Sequence, residues 1–266
     1  MRTFIVIAGL AVAVAPVAAN KNTANRPVAY ESFKQGSAIY HSVRANLGVD
    51  QVSAEVTYTP KLTKAWSTLG KRQPVAAITG TFFAFENQQP VADVIVDGEL
   101  VANAARGSVL AVDWFGRVKI FDARRYQPID WFPYRYALRG LVRLVADGKV
   151  CPNPQAQGFR DRRIWGAASR TAVGLTKEGK LVFMATPNSV TLSDLGKAMT
   201  GKGVVEAVSL DGGGSTMLYY RGSMVIGPKR PLSTMFMIHE RSPFDSAFQK
   251  QQKAFGPTPP PVGSGW

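Results

Sequence analysis

Four times along this chain an apolar run breaks at a residue followed by glycine, and a second apolar run begins at once. The breaks are Asp97-Gly98 within 94–101, Phe115-Gly116 within 110–121, Asp147-Gly148 within 144–150 and Glu178-Gly179 within 172–185. Glycine supplies the positive φ that tight hairpin turns require, so each break reads as strand, turn, strand. Repeated hairpins argue for an antiparallel or mixed sheet, because a doubly wound parallel sheet needs a crossover between successive strands. Helical spacing is rarer. Leu62, Ala65, Trp66 and Leu69 share one side of a short helix over 61–70, and Leu192, Leu195 and Met199 do so in a second. There Thr191 and Asp194 form a capping-box pattern, and Gly201 and Gly203 stop the helix. The expectation is one α+β domain over residues 30–242, a mixed and largely antiparallel sheet rich in hairpins with a few packed helices.

Further strands are expected at 38–47, 51–59 (ended by Pro60), 75–78, 204–210 and 234–238. Residues 20–36 are polar and read as a loose lead-in, which puts the start of the domain near residue 30. The stretch 122–169 is aromatic, rich in arginine and irregular, and reads as a long functional loop. Residues 243–266 carry Pro257 and Pro259–Pro261 and read as a flexible tail without a core. At the other end Arg2 precedes an apolar run from Phe4 to Ala15, then Pro16 and small residues to Ala19. That is a signal-peptide pattern over residues 1–19. The run is too short to span a bilayer, so no stable transmembrane anchor is expected and the mature chain is read as exported, periplasmic or secreted.

One cysteine, Cys151, rules out an intramolecular disulfide framework and a cysteine-based zinc site. Only two histidines, His41 and His239, are present, and they lie far apart. A Ser-His-Asp triad is therefore not expected, and chemistry must rest on carboxylates, hydroxyls, arginines and backbone. The formal net charge of +14 favours an anionic partner. No nucleic-acid-binding motif accompanies it, so nucleic acid is not the expected partner. The most informative single stretch is Ser209-Leu210-Asp211-Gly212-Gly213-Gly214-Ser215-Thr216. A buried strand reaches an acid and then three glycines, a sequence whose backbone can turn sharply and cup an anion. Asp211 at its lip could be an acid, a base, a nucleophile or a metal ligand, or could serve a tight hairpin. A divalent ion could sit near it, but no cluster of oxygen ligands has a recognisable spacing, and neither cofactor nor metal is assigned.

Together with Thr79-Gly80-Thr81-Phe82-Phe83 and Ser169-Arg170-Thr171-Ala172-Val173-Gly174, in this order and with the leucine-bearing helix between, the loop resembles the phosphodiester glycosidase family. The likeness covers roughly residues 75–240 and implies hydrolysis of a sugar-1-phosphate diester in a phosphate-carrying glycan or glycolipid. It implies a site built on Asp211 and Arg170, with Gly212, Gly213, Gly214, Ser215, Thr216, Thr171, Thr79, Phe82 and Phe83 around the substrate. Arg139 is a further candidate for the anion pocket, and Glu86 or Asp93 for a second carboxylate. Thr79 and Ser209 stand where the family has Asn, Ala84 where it has an acid, and Thr186-Pro187-Asn188 where many members carry Asp-Gly-Arg.

A phosphate monoester leaves readily because its second pKa is about 6, so less acid assistance is needed than for an alcohol. Arginine and backbone N–H groups suit the charge that grows on it. Asp211 would then serve as nucleophile, base or oxocarbenium stabiliser, or hold the loop. The intact Arg-Thr and Asp-Gly-Gly-Gly-Ser motifs favour the enzyme; the altered positions favour a non-catalytic binder of anionic envelope polysaccharide or exopolysaccharide.

Overall fold

A computed structural model describes residues 26–47, 52–103 and 106–240. The signal pattern at 1–19 and the tail at 243–266 lie outside the described residues. The first part of the chain runs β1 (Val28–Gln35), β2 (Ala38–Ala45), β3 (Ser53–Thr63), α1 (Ala65–Arg72) and β4 (Ala76–Thr79). Next come β5 (Val94–Val96), β6 (Glu99–Ala102), β7 (Ser108–Asp113), β8 (Val118–Asp122), β9 (Tyr134–Ala146), β10 (Lys149–Val150) and α2 (Arg162–Trp165). The chain continues through β11 (Ala168–Thr176), β12 (Leu181–Val190), α3 (Leu192–Thr200) and β13 (Val204–Ser209). After a 3-10 turn at Gly213–Ser215 it ends in β14 (Leu218–Tyr220), β15 (Ser223–Ile226) and β16 (Leu232–His239).

The α+β expectation is corrected. The described residues are 51% strand and 11% helix, in two antiparallel sheets, so the protein is mainly β. The eleven-stranded sheet has β1-β2-β12-β11-β13-β9 as its spine, and the five-stranded sheet runs β15-β14-β4-β16-β3. All four expected hairpins are present, as β5–β6, β7–β8, β9–β10 and β11–β12. What shifted the balance was strand hidden in stretches read as irregular. β9, thirteen residues long, occupies part of 122–169, where its arginines masked a buried run from Tyr136 to Val145. β1 occupies part of the polar lead-in; it lies at the sheet edge and is half exposed, which tolerates polar residues. Pro60 does not end β3. That strand is also an edge, and its register with β16 shifts between Tyr58 and Thr63, where a missing N–H costs no ladder bond.

The sheets face each other across one core. Val43, Val173, Phe183 and Val208 of the larger sheet meet Val56, Ile78, Phe236 and Ile238 of the smaller. Phe183 and Phe236 approach to 5.5 Å between ring centroids. Outside the large sheet α3 buries Leu192, Leu195, Ala198 and Met199 on Val142, Leu144, Ala172 and Met184. Outside the small sheet α1 buries Ala65 and Leu69 against Ala77, Met217 and Met235. Among the described residues no helix is long and apolar enough to cross a membrane.

The expected capping box is present. The Asp194 N–H donates to Thr191 Oγ1 at 3.1 Å, and the Thr191 N–H donates to Asp194 Oδ2 at 3.2 Å. Thr191→Ala should therefore lower stability by about 1 kcal/mol, with an unchanged m-value in urea unfolding.

Candidate active site

The glycine loop is the place where the chain leaves one sheet for the other. β13 runs in the large sheet beside β11, with Ala172 opposite Ser209, and β14 pairs with β4 in the small one. Between them the Leu210 N–H donates to the Thr171 carbonyl at 3.0 Å, and the Asp211 N–H donates to the Gly80 carbonyl at 2.9 Å. Thus the end of β11, the end of β4 and the loop converge at Asp211. The Arg-Thr and Thr-Gly-Thr-Phe-Phe stretches are therefore neighbours in space, although Thr79 and Arg170 are far apart in sequence. Gly80 is required because Thr234 crosses it: a Cβ there would lie 2.8 Å from Thr234 Cβ and 2.9 Å from its backbone carbon.

Local hydroxyls brace the loop. Thr171 Oγ1 donates to the Asp211 carbonyl at 2.6 Å, and Ser169 Oγ donates to the Gly213 carbonyl at 2.9 Å. Thr216 Oγ1 donates to Ser169 Oγ at 3.1 Å. Thr171 and Thr216 are buried, so the structure places them as supports behind the loop. Ser209 is buried too, and its hydroxyl lies 3.3 Å from the Thr171 carbonyl and 3.2 Å from the Leu210 carbonyl. The serine in the family's asparagine position is thus satisfied locally. Thr79 is buried at the end of β4 opposite Met235.

Asp211 keeps a partial opening to solvent while protein crowds its carboxylate. Its pKa is pushed up to about 6, by burial first. The Ser215 hydroxyl, the Arg230 and Arg170 charges and the Gly212 N–H all pull it down, and burial wins. The Gly212 N–H donates to Asp211 Oδ1 at 2.9 Å. Ser215 Oγ is buried and makes no hydrogen bond of good geometry among the described residues, Asp211 included. No second carboxylate is among the groups that set this pKa. Asp93 pairs with Arg139 at 3.2 Å, and Glu86 is exposed, with its charge felt by Arg163.

Arg170 is 2% exposed, and burial lowers its pKa while the Asp211 charge raises it. It donates to the Gly166 carbonyl, and its Nε is buried without a hydrogen bond among the described residues. Arg139 belongs elsewhere. It donates to Asp93, to the Gln127 carbonyl at 3.1 Å and to the Arg124 carbonyl at 2.8 Å, and so pins the segment after β8 to the large sheet.

Two site residues were missed in the sequence, Arg230 and Phe85. The Lys229 N–H donates to the Gly214 carbonyl at 2.8 Å, which lays the next guanidinium against Gly214. A Cβ at Gly214 would come within 2.6 Å of Arg230 Nε, so this glycine makes room for the arginine. Arg230 lies 5.0 Å from the Phe85 ring centroid, a cation–π distance, and Phe85 is 55% exposed. Phe83, by contrast, is buried and meets Phe85 edge-on at 5.3 Å; Phe82 packs on Phe159 at 6.2 Å. The exposed ring beside the loop is therefore Phe85, two residues past the motif. The only sequence hint of Arg230 was a basic pair between prolines, Pro228-Lys229-Arg230-Pro231.

Neither histidine is placed at the loop: His41 Nδ1 meets the Tyr30 hydroxyl at 2.7 Å, and His239 Nε2 meets Glu55 at 2.8 Å. Among the described residues no group of three or more His, Cys, Asp or Glu could hold a metal. The arrangement offers one carboxyl poised near neutrality, two guanidiniums, and the Gly213 and Gly214 N–H groups, which make no hydrogen bond among the described residues. An oxyanion beside an electron-poor carbon is the chemistry such a set can serve.

The chain belongs to the phosphodiester glycosidase family, whose sequence profile matches residues 72–239. Similar proteins include the N-acetylglucosamine-1-phosphodiester alpha-N-acetylglucosaminidases of Bos taurus and Mus musculus. The bovine protein is 24% identical over 199 residues, 62% of this chain and 36% of its own length. The mouse protein is 23% identical over 199 residues, 62% of this chain and 37% of its own. This chain thus spans little more than a third of those relatives. Among solved structures, the zebrafish catalytic domain of that enzyme, auto-inhibited by its pro-peptide, matches with a TM-score of 0.65 at 22% identity, covering 82% of this chain and 85% of that one. A hypothetical protein from Synechocystis matches at 0.60 and 13% identity, covering 79% and 61%. At such identities the structural likeness establishes the fold.

Because the carboxyl of Asp211 holds its proton more tightly when folded, its ionisation opposes folding. The stability it contributes is full below the unfolded carboxyl pKa near 4 and is lost as pH rises through about 6. Asp211→Asn should flatten that pH dependence and be more stable than wild type at pH 7 by roughly 1–2 kcal/mol, allowing for partial exposure. Urea unfolding between pH 4 and 8 measures this. Gly212→Ala and Gly214→Ala should differ in kind. At 212 the new methyl meets the Ser169 carbonyl at 2.6 Å, which is backbone, and unfolds easily; at 214 it displaces a flexible guanidinium and leaves the melting temperature nearly unchanged.

Proposed function

We propose that this chain is an exported hydrolase of glycosyl phosphodiesters, acting on a glycan or glycolipid that carries a sugar-1-phosphate link. The single observation that carries this reading is the convergence at the glycine loop of Asp211, tied to the end of β4, and the Arg230 guanidinium seated against Gly214; burial pushes the Asp211 pKa up to about 6 against the pull of the Arg230 and Arg170 charges. Family membership and the names of the relatives agree with it, and the export part rests on the pattern at residues 1–19.

In the proposed reaction the C1–O bond breaks, and its electron pair stays on the phosphate oxygen. Water supplies the hydroxyl that ends on C1, and its remaining proton goes to solvent. The leaving phosphate carries its own negative charge, so an acid is dispensable and an anion clamp is not. Arg230 and Arg170, with the N–H groups of Gly213 and Gly214, supply that clamp. Asp211, ionised, faces the positive charge that develops on the sugar ring, as nucleophile or as stabiliser. Phe85 offers a ring for a sugar face.

Release of free sugar from sugar-1-phosphate nitrophenyl diesters tests the proposal. Asp211→Asn should lower kcat on the order of 10³-fold. Arg230→Ala should lower kcat/KM about 10²-fold. Wild-type activity should rise as pH passes through about 6, since the ionised carboxylate is the working form. Wild-type turnover in Asp211→Asn would remove the site assignment.

A second reading, an anionic-polysaccharide binder without turnover, is favoured by the lack of a second carboxylate acting on Asp211. It predicts salt-sensitive binding in calorimetry with no sugar released from any diester, and wild-type turnover excludes it.

A further inference from the structure

A cavity of about 540 Å³ lies apart from the glycine loop, lined by Arg124, Arg125, Arg143 and Arg160, with Asn153 and Gln155 among its neutral walls. No residue of the loop, of β4 or of β11 takes part in the lining. Arg143, from β9, is 8% exposed. It pairs with Glu206 through Nη2, but its Nε and Nη1 are buried and make no hydrogen bond among the described residues. Nη1 is 3.9 Å from Asp122 Oδ1, inside ion-pair range and too far for a hydrogen bond. Leaving charged donors buried and unbonded is costly, and a shift of the Arg143 side chain toward a ligand oxygen in the cavity relieves that cost.

The surroundings sharpen the chemistry. Arg124, Arg125 and Arg160 are exposed and have no carboxylate within ion-pair reach among the described residues. Four guanidiniums line the cavity against one carboxylate, Asp122. The Gln157 side-chain Oε1 accepts from the Arg143 backbone N–H at 2.9 Å, and its Nε2 donates to Ser108 Oγ at 2.7 Å, which holds the wall in place. The cavity volume is that of an ordinary small-ligand site. Guanidinium forks match tetrahedral oxyanions, and exposed amides match sugar hydroxyls.

We propose that this cavity is a second anion site that takes the phosphate of a phosphorylated saccharide, separate from the site at Asp211. Arg143 reaches the oxyanion from the floor, and Arg125 and Arg160 reach it from the rim. The assignment needs no catalysis at Asp211.

Cys151 is exposed, lines the cavity and is the one cysteine in the sequence, which makes it a reporter. Iodoacetamide, which is neutral, alkylates it at a rate that intact-protein mass spectrometry can follow. With α-D-glucose 1-phosphate at about four times its Kd, one fifth of sites stay open, and alkylation should slow about fivefold. Asp211→Asn should show the same protection, so failure of the catalytic reading leaves this result standing. Arg125→Ala with Arg160→Ala, both surface changes, should abolish the protection. An unchanged rate at every glucose 1-phosphate concentration overturns the proposal, as does full protection in the double variant. Equal protection by inorganic phosphate overturns the saccharide part, and equal protection by glucose overturns the anion part.

Discussion

The hydrogen bond from the Asp211 N–H to the Gly80 carbonyl, 2.9 Å long, is where the two sheets are fastened at the site. β13 leaves the large sheet at Ser209, and only a few residues later β14 begins in the small one. An extended strand could not make so abrupt a passage with its peptide groups satisfied. The glycines let the backbone turn, and the hydroxyls of Ser169, Thr171 and Thr216 take up the orphaned carbonyls and each other. One loop thus solves a folding problem and presents a carboxylate, a combination that explains why the acid sits beside the glycines and not elsewhere on β13.

Electrostatically the site is a contest that burial wins. Two arginines and a hydroxyl stabilise the Asp211 anion, and desolvation still carries the carboxyl up to about 6. The same crowding that raises this pKa lowers that of Arg170. Both charges gain by a ligand that brings opposite charge to each, as a phosphodiester does with an anionic phosphate on one side and an incipient sugar cation on the other. Gly214 matters here because it has no side chain: it is the seat of the Arg230 guanidinium.

Much of this was legible in the sequence, and the failures share a cause. Hairpins and the α3 cap are local, so turn glycines and a Thr-x-x-Asp pattern revealed them. The sequence motifs single out Asp211, Arg170 and Thr79, and the structure brings their three elements together. Three kinds of long-range information were hidden. β9 looked irregular because Arg139 and Arg143 interrupt its apolar run, and only the partners Asp93 and Glu206, distant in sequence, make those arginines suitable for the core. β1 looked like a polar lead because an edge strand needs few apolar residues. Arg230 reaches the loop through a backbone bond between Lys229 and Gly214, which no periodicity encodes. The Arg139 guanidinium is taken up by Asp93 and by the Gln127 and Arg124 carbonyls, partners that no spacing in the sequence reveals.

The central claim is that the protein desolvates Asp211 and sets Arg230 against it. Carboxyl-carbon NMR of selectively labelled aspartate measures this directly as the pKa of Asp211, identified by its loss in Asp211→Asn. The account predicts a value of about 6 in the wild type, and a higher one in Arg230→Ala, where an opposing positive charge is gone. A titration near the ordinary aspartate pKa of about 3.9, unmoved by Arg230→Ala, would contradict it.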